Sequence, residues 1–302
     1  MTHPGPTDRA GAEAWFLAHG LPYFVDPIRD QVRRRLSRGR LTLVAAVGLL
    51  IAVPVGIAVG WTGDDVSGGI STAVTLLLVV AAVYAGRALR VHLIGRWALR
   101  QTLSSLGLLF PLATRALPML LLFVTFLFIN TEVWMVASAL DGGILWGAVM
   151  LFAAVAVGFL VVRLSEEVDR LDDEIGREEL GDDADVVGLQ RTNLVLVLLI
   201  TQAFQVLLLA LAVFLFFIVF GAVAMKPSVL ESWIGDELTY PWGIPPVSRE
   251  LLQVSTFLAA FSGLYFAVYA VTDETYRREF FTEVLGELEQ ALRVRVRYLR
   301  GS

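Results

Sequence analysis

Residues 194–224 read LVLVLLITQAFQVLLLALAVFLFFIVFGAVA, thirty-one positions without one charged side chain. A bilayer core about 30 Å thick takes roughly 20 apolar residues in a helix. A run this long therefore predicts a helix that crosses the membrane and tilts or projects beyond it. With no water in the hydrocarbon to bond the backbone, a helix is the form such a run takes.

Working outward from this run, five further stretches meet the same requirement: 41–60, 70–89, 114–130, 144–164 and 251–271. The expected fold is all-α, a polytopic membrane helix bundle of six transmembrane helices with amphipathic cytoplasmic helices attached. The domain division that follows is an arm over 1–40, a six-helix membrane domain over 41–272 and a tail over 273–302. Composition agrees. Hydrophobic residues make up 56% and charged residues 18% of the chain, against about 45–50% and about 25% in soluble domains. The absence of Cys excludes a disulfide scaffold and a thiolate metal site. A net charge of −5 without a basic domain argues against nucleic acid as a partner.

Orientation follows from the arginines, which supply every basic residue except Lys226. Arg29, Arg33, Arg34, Arg35, Arg38 and Arg40 precede the first span. Arg87, Arg90, Arg96 and Arg100 follow the second, and Arg163, Arg170, Arg177 and Arg191 follow the fourth. The connections over 61–69 and 130–143 have no Lys or Arg. The positive-inside rule then predicts a multi-pass protein with both termini in the cytoplasm. Trp61, Trp134, Trp146, Trp233 and Trp242 cluster at the opposite side, where an indole suits the headgroup level. The arginine bias matches a GC-rich genome, hence a bacterial plasma membrane. The first apolar run, preceded by forty residues, reads as a retained signal anchor.

Three segments lie outside the predicted bilayer. In the arm, 13–19 predicts a short helix ended by Gly20, and 21–25 an apolar aromatic turn. Asp26 is the expected N-cap of a second helix, with Pro27 at its first position. There Ile28, Val32 and Leu36 form an apolar stripe among Arg29, Arg33, Arg34 and Arg35. That pattern suits either an interfacial helix on anionic headgroups or a stop-transfer charge cluster. The segment 166–185 is densely acidic and should extend span four into the cytoplasm until Gly176. It reads as a solvated charge run, a divalent-cation site without EF-hand spacing, or a partner for the basic arm or tail. The tail carries an apolar helical face through Phe281, Val284, Leu285, Leu288 and Leu292, which needs a partner.

Chemistry is hard to find. There is no H-E-x-x-H, P-loop or G-x-S-x-G motif, and His3, His19 and His92 share no ligand spacing. No catalytic, cofactor-binding or metal residue is expected. Arg115, between Pro111 and Pro118, either lines a polar pathway on a broken helix or flanks span three at its inner end. Gln202 and Gln205 in span five and Tyr265 and Tyr269 in span six line such a pathway or bond between helices. Gly56 and Gly60 in span one, and Ala259 and Gly263 in span six, signal close helix packing.

The stretch Ala14-Trp15-Phe16-Leu17-Ala18-His19-Gly20-Leu21-Pro22-Tyr23-Phe24-Val25, ahead of an arginine-rich helix and several spans, resembles a group of actinobacterial integral membrane proteins with no assigned activity. The resemblance implies no site residues. The expected function is a non-enzymatic membrane scaffold or partner subunit, with a homo-oligomer or another membrane protein as partner. The alternative is a small-solute transporter or channel.

Overall fold

The computed structural model describes residues 9–62, 66–104, 121–140, 143–175, 187–241 and 246–272, with positions 290, 291, 293–295 and 298 of the tail. These residues are helical or connect helices, and no strand occurs among them. In chain order the helices are α1 (Arg9–Ala18), α2 (Asp26–Arg35), α3 (Arg38–Thr62), α4 (Val66–Ala88), α5 (Val91–Ser104), α6 (Leu121–Phe128), α7 (Thr131–Ser138), α8 (Gly143–Ile175), α9 (Leu189–Ala224), α10 (Pro227–Ile234) and α11 (Arg249–Thr272).

Four of these, α3, α8, α9 and α11, are long and apolar enough to cross a membrane. Two bent pairs add one span each when counted whole, which brings the number to the six expected. The chain turns by 79° between α4 and α5 and by 75° between α6 and α7. The second turn falls at the end of the expected span over 114–130. Asn130 accepts hydrogen bonds from the Glu132 and Val133 amides at 2.8 and 3.3 Å. It thereby starts a new helix where the old one would have continued. Residues 114–120 lie outside the described set. α8 runs unbroken from the fourth apolar stretch to Ile175, as the spacing of Val168 and Leu171 predicts.

Packing groups the chain differently from the three-part sequence division. One compact unit comprises Met1–Ala98, Ile175–Val197 and Gln290–Ser302, the other Leu99–Glu174 and Leu198–Glu289. In the first, α3 and α4 form a close antiparallel pair. A Cβ on Gly56 would sit 2.7 Å from the Gly69 carbonyl, and one on Gly69 only 2.5 Å from the Gly56 carbonyl. Glycine permits that approach. Gly48, Ala52 and Gly56 are the buried residues of α3, so a stripe of small residues makes the seam.

In the second unit the core gathers Val124, Phe128, Trp134, Val213, Phe217, Leu251, Val254 and Leu258. Phe128 stacks on Phe217 with ring centroids 4.7 Å apart, and Trp134 meets Phe128 edge-on at 5.4 Å. Trp134 is fully buried and its Nε1 donates to the Phe128 carbonyl at 2.6 Å. It is a core residue of this unit, with no face left open. The α6–α7 bend folds the indole inward, where its one donor finds a carbonyl freed at the end of α6. Trp61, 86% exposed, and Trp146 do face outward.

Candidate functional site: the N-terminal arm and its clasp

α1 ends at Ala18, and Gly20 turns the chain with φ of +71°. A Cβ there would press on the Trp97 ring at 3.1 Å, so glycine is required twice over. The turn drives Leu21, Tyr23, Phe24 and Val25 inward, and all four are buried. Burial of such a segment demands partners for its backbone. Asn193, fully buried near the start of α9, supplies them: its Nδ2 donates to the Gly20 carbonyl at 3.0 Å and its Oδ1 accepts from the Tyr23 amide at 2.8 Å. The Tyr23 hydroxyl donates to the Leu89 carbonyl. Burial raises the Tyr23 hydroxyl above its ordinary pKa. Before the turn, His19 stacks on Trp15 at 3.9 Å with Nδ1 2.8 Å from the Trp15 carbonyl.

α2 begins at Asp26 with Val25 as its N-cap, one residue earlier than expected. Asp26 is thus the first helical residue, and its carboxylate is engaged by arginines. Arg9 donates to it at 3.1 Å, and Arg29 pairs with it from the next turn. Onto this surface comes the C-terminal segment. Ala291, Val294 and Tyr298 are buried at helical spacing. The Tyr298 ring meets Phe16 edge-on at 6.0 Å, and the Arg9 guanidinium lies over its face at 4.9 Å. Its hydroxyl lies 3.0 Å from Glu13 Oε1 and 3.3 Å from Asp26 Oδ2, donating to one at a time. Burial raises the Tyr298 pKa, opposed by Arg9 and reinforced by Glu13. A tyrosine thus closes two acids and a base from the arm into one buried-edged cluster.

The residues singled out from sequence fall elsewhere. Arg115 lies outside the described residues. Gln202 and Gln205 are 2% and 8% exposed, and Gln202 Nε2 and Gln205 Oε1 have no hydrogen-bond partner among the described residues. Tyr265 is 42% exposed and stacks on Tyr269 at 6.2 Å. Arg33, Arg34, Arg38 and Arg40 are exposed, whereas Arg29 is taken up by Asp26 and Arg35 donates to the Arg87 carbonyl at 3.0 Å. Gly263 packs against Val206 and Ala210, so its small-residue signal marks a helix contact. Beside that contact runs a groove of about 480 Å³ between α8, α9 and α11. Thr256 is the sole lining residue with a side-chain hydroxyl, and it bonds back to the Leu252 carbonyl. Among the described residues no three potential metal ligands come together.

Sequence reading missed Asn193 and Tyr298. Asn193 is a lone amide ahead of an apolar run, visible as a polar residue on the apolar side of Arg191. Tyr298 continues the 291–294 face by one helical turn, a spacing that was there to be found. No protein-family model matches the chain, and no match was found among curated proteins or solved structures.

Proposed function

We propose that this protein is a membrane-embedded, non-enzymatic scaffold that presents a module built from its own two ends to a partner. The observation that carries this reading is the Tyr298 cluster: the last part of the chain is held on the first by a cation–π contact, an aromatic edge and a hydroxyl shared between two carboxylates. A segment anchored at both ends by buried bonds is a preorganised surface, and preorganisation lowers the entropic cost of binding. The arginine distribution supports placing this module at the cytoplasmic face of a bacterial plasma membrane, with the exposed arginines of α2 and the α2–α3 link against anionic headgroups. Purification of the full chain in mild detergent checks the reading. A stoichiometric partner or a homo-oligomer is expected, which Tyr298→Ala releases and Gln202→Leu retains; a bare monomer contradicts it.

One observation favours the second reading, a small-solute transporter. The orphaned amide atoms of Gln202 and Gln205 lie one turn apart in a span, and buried polar atoms are ordinarily satisfied. The lining of the neighbouring groove weighs on the other side. Solute uptake into proteoliposomes that Gln202→Leu abolishes would establish transport and displace the scaffold reading.

A further inference from the structure

We propose that the bend between α4 and α5, together with the end of α2, forms a seat for the phosphate headgroup of an anionic phospholipid. The proposal rests on the reading of α3 and α4 as spans whose arginine-bearing ends meet the membrane surface. It goes further by naming the residues that bind and the lipid chemistry they select.

The first observation is backbone strain. Arg90, two residues beyond the end of α4, has φ of +48°, the one positive value at a non-glycine residue among those described. Glycine is the usual residue where a helix ends in this left-handed conformation, because a Cβ crowds the backbone there. Strained residues persist where the surroundings over-determine them, and they gather at binding sites. Arg90 is held on several sides: its amide donates to the Arg87 carbonyl at 3.4 Å, its carbonyl accepts from the Leu93 amide at 2.9 Å, and its guanidinium is bonded to Gln31 Oε1 on α2.

The second observation is how the corner is tied. Arg35 Nη1 donates to the Arg87 carbonyl at 3.0 Å, and the Tyr84 hydroxyl donates to the Arg35 carbonyl at 2.6 Å. Arg35 on the Arg87 carbonyl and Tyr23 on the Leu89 carbonyl tie down the end of α4, while Tyr84 ties down the end of α2. A guanidinium has five N–H groups, and this bonding occupies one on Arg35 and one on Arg90. Among the described residues the others meet no carboxylate.

The third observation is charge. Among the described residues, none of Arg34, Arg35, Arg38, Arg87 or Arg90 meets a carboxylate. Arg9 and Arg29 pair with Asp26, and Arg163 pairs with Glu166. In a chain of net charge −5 this corner stays positive. Unneutralised guanidiniums match the oxygens of a phosphate bidentately. At 23 residues α4 is long enough to be the span by itself, and with α5 turned 79° away from it that reading puts the corner at the depth of headgroups.

The test titrates the full chain, in neutral detergent, with dioctanoyl phosphatidylglycerol, dioctanoyl phosphatidylcholine and inorganic phosphate, by calorimetry. The glycerol lipid should bind at least about tenfold more tightly than the choline lipid. Arg87→Gln and Arg90→Gly should each weaken it about fivefold, the usual worth of one surface arginine, while Arg163→Gln leaves it unchanged. Arg90→Gly should also melt no lower than the parent, since glycine relieves the strained backbone, and this separates lost binding from lost folding. Equal binding of the two lipids would overturn both the seat and the headgroup reading. A retained preference in Arg87→Gln and Arg90→Gly would overturn the seat alone. Displacement of the lipid by equimolar inorganic phosphate would assign the corner to a free anion instead.

Discussion

Asn193 carries more of the arm than any other single residue. It is the sole side chain bonded to both the Gly20 carbonyl and the Tyr23 amide, so Asn193→Ala leaves a buried donor and a buried acceptor unmet. Each costs about 1–3 kcal/mol, and a loss of about 2–6 kcal/mol is expected, read as a lower melting temperature in detergent. Gly20→Ala should cost about 1–2 kcal/mol for the left-handed backbone alone, before the Trp97 ring is displaced. A melting temperature unchanged by both substitutions would remove the arm from the folded structure. The tyrosines set a pH dependence. Burial raises the pKa of Tyr23 and Tyr298 in the folded chain. Their contribution is therefore complete below the ordinary tyrosine pKa near 10 and is lost as the pH rises beyond it. Spectrophotometric titration of tyrosine ionisation should show late-titrating groups, one removed by Tyr23→Phe and one by Tyr298→Phe. Loss of an early step instead would place these hydroxyls in water.

At the scale of helices, two glycine contacts separate rigid seams from adjustable ones. Gly56→Ala drives a methyl into the Gly69 carbonyl, which is backbone, whereas Gly221→Ala meets first the tip of the Leu251 side chain at 2.4 Å. Gly56→Ala should be the more damaging of the two by about 1–2 kcal/mol, because a leucine rotates more cheaply than a helix moves. Equal melting temperatures would contradict that. These seams also show what a sequence discloses. The α3–α4 contact was legible in Gly56 and Gly60, since small residues at helical spacing have few other uses in a membrane. That α3, α8, α9 and α11 are each long enough to cross was legible, because hydrocarbon thickness sets the least apolar length a span needs. The α6–α7 bend was not, because one Asn capping a new helix looks identical to one Asn ending a span. The burial of Trp134 was not legible for the same reason: an indole is equally apt at an interface and beside a freed carbonyl. The Tyr298 cluster joins residues some 285 positions apart, a separation on which local periodicity is silent.

For the whole molecule, all-α architecture and helices built to the span of a bilayer follow from apolar length. What individual character the chain has comes from its ends: an arm folded around a buried turn, and a tail that returns to it through one tyrosine. That return requires both ends on the same side of the membrane, which the arginine distribution predicts independently. Because the chain has no cysteine, two introduced thiols carry spin labels without interference. Ala10→Cys and Arg293→Cys, both at exposed positions, bracket the cluster. Pulsed electron–electron distance measurement on this pair in lipid nanodiscs should give one short, narrow distance that broadens when Tyr298→Ala is added. A broad distribution that Tyr298→Ala leaves unchanged would contradict the clasp and, with it, the module proposed here.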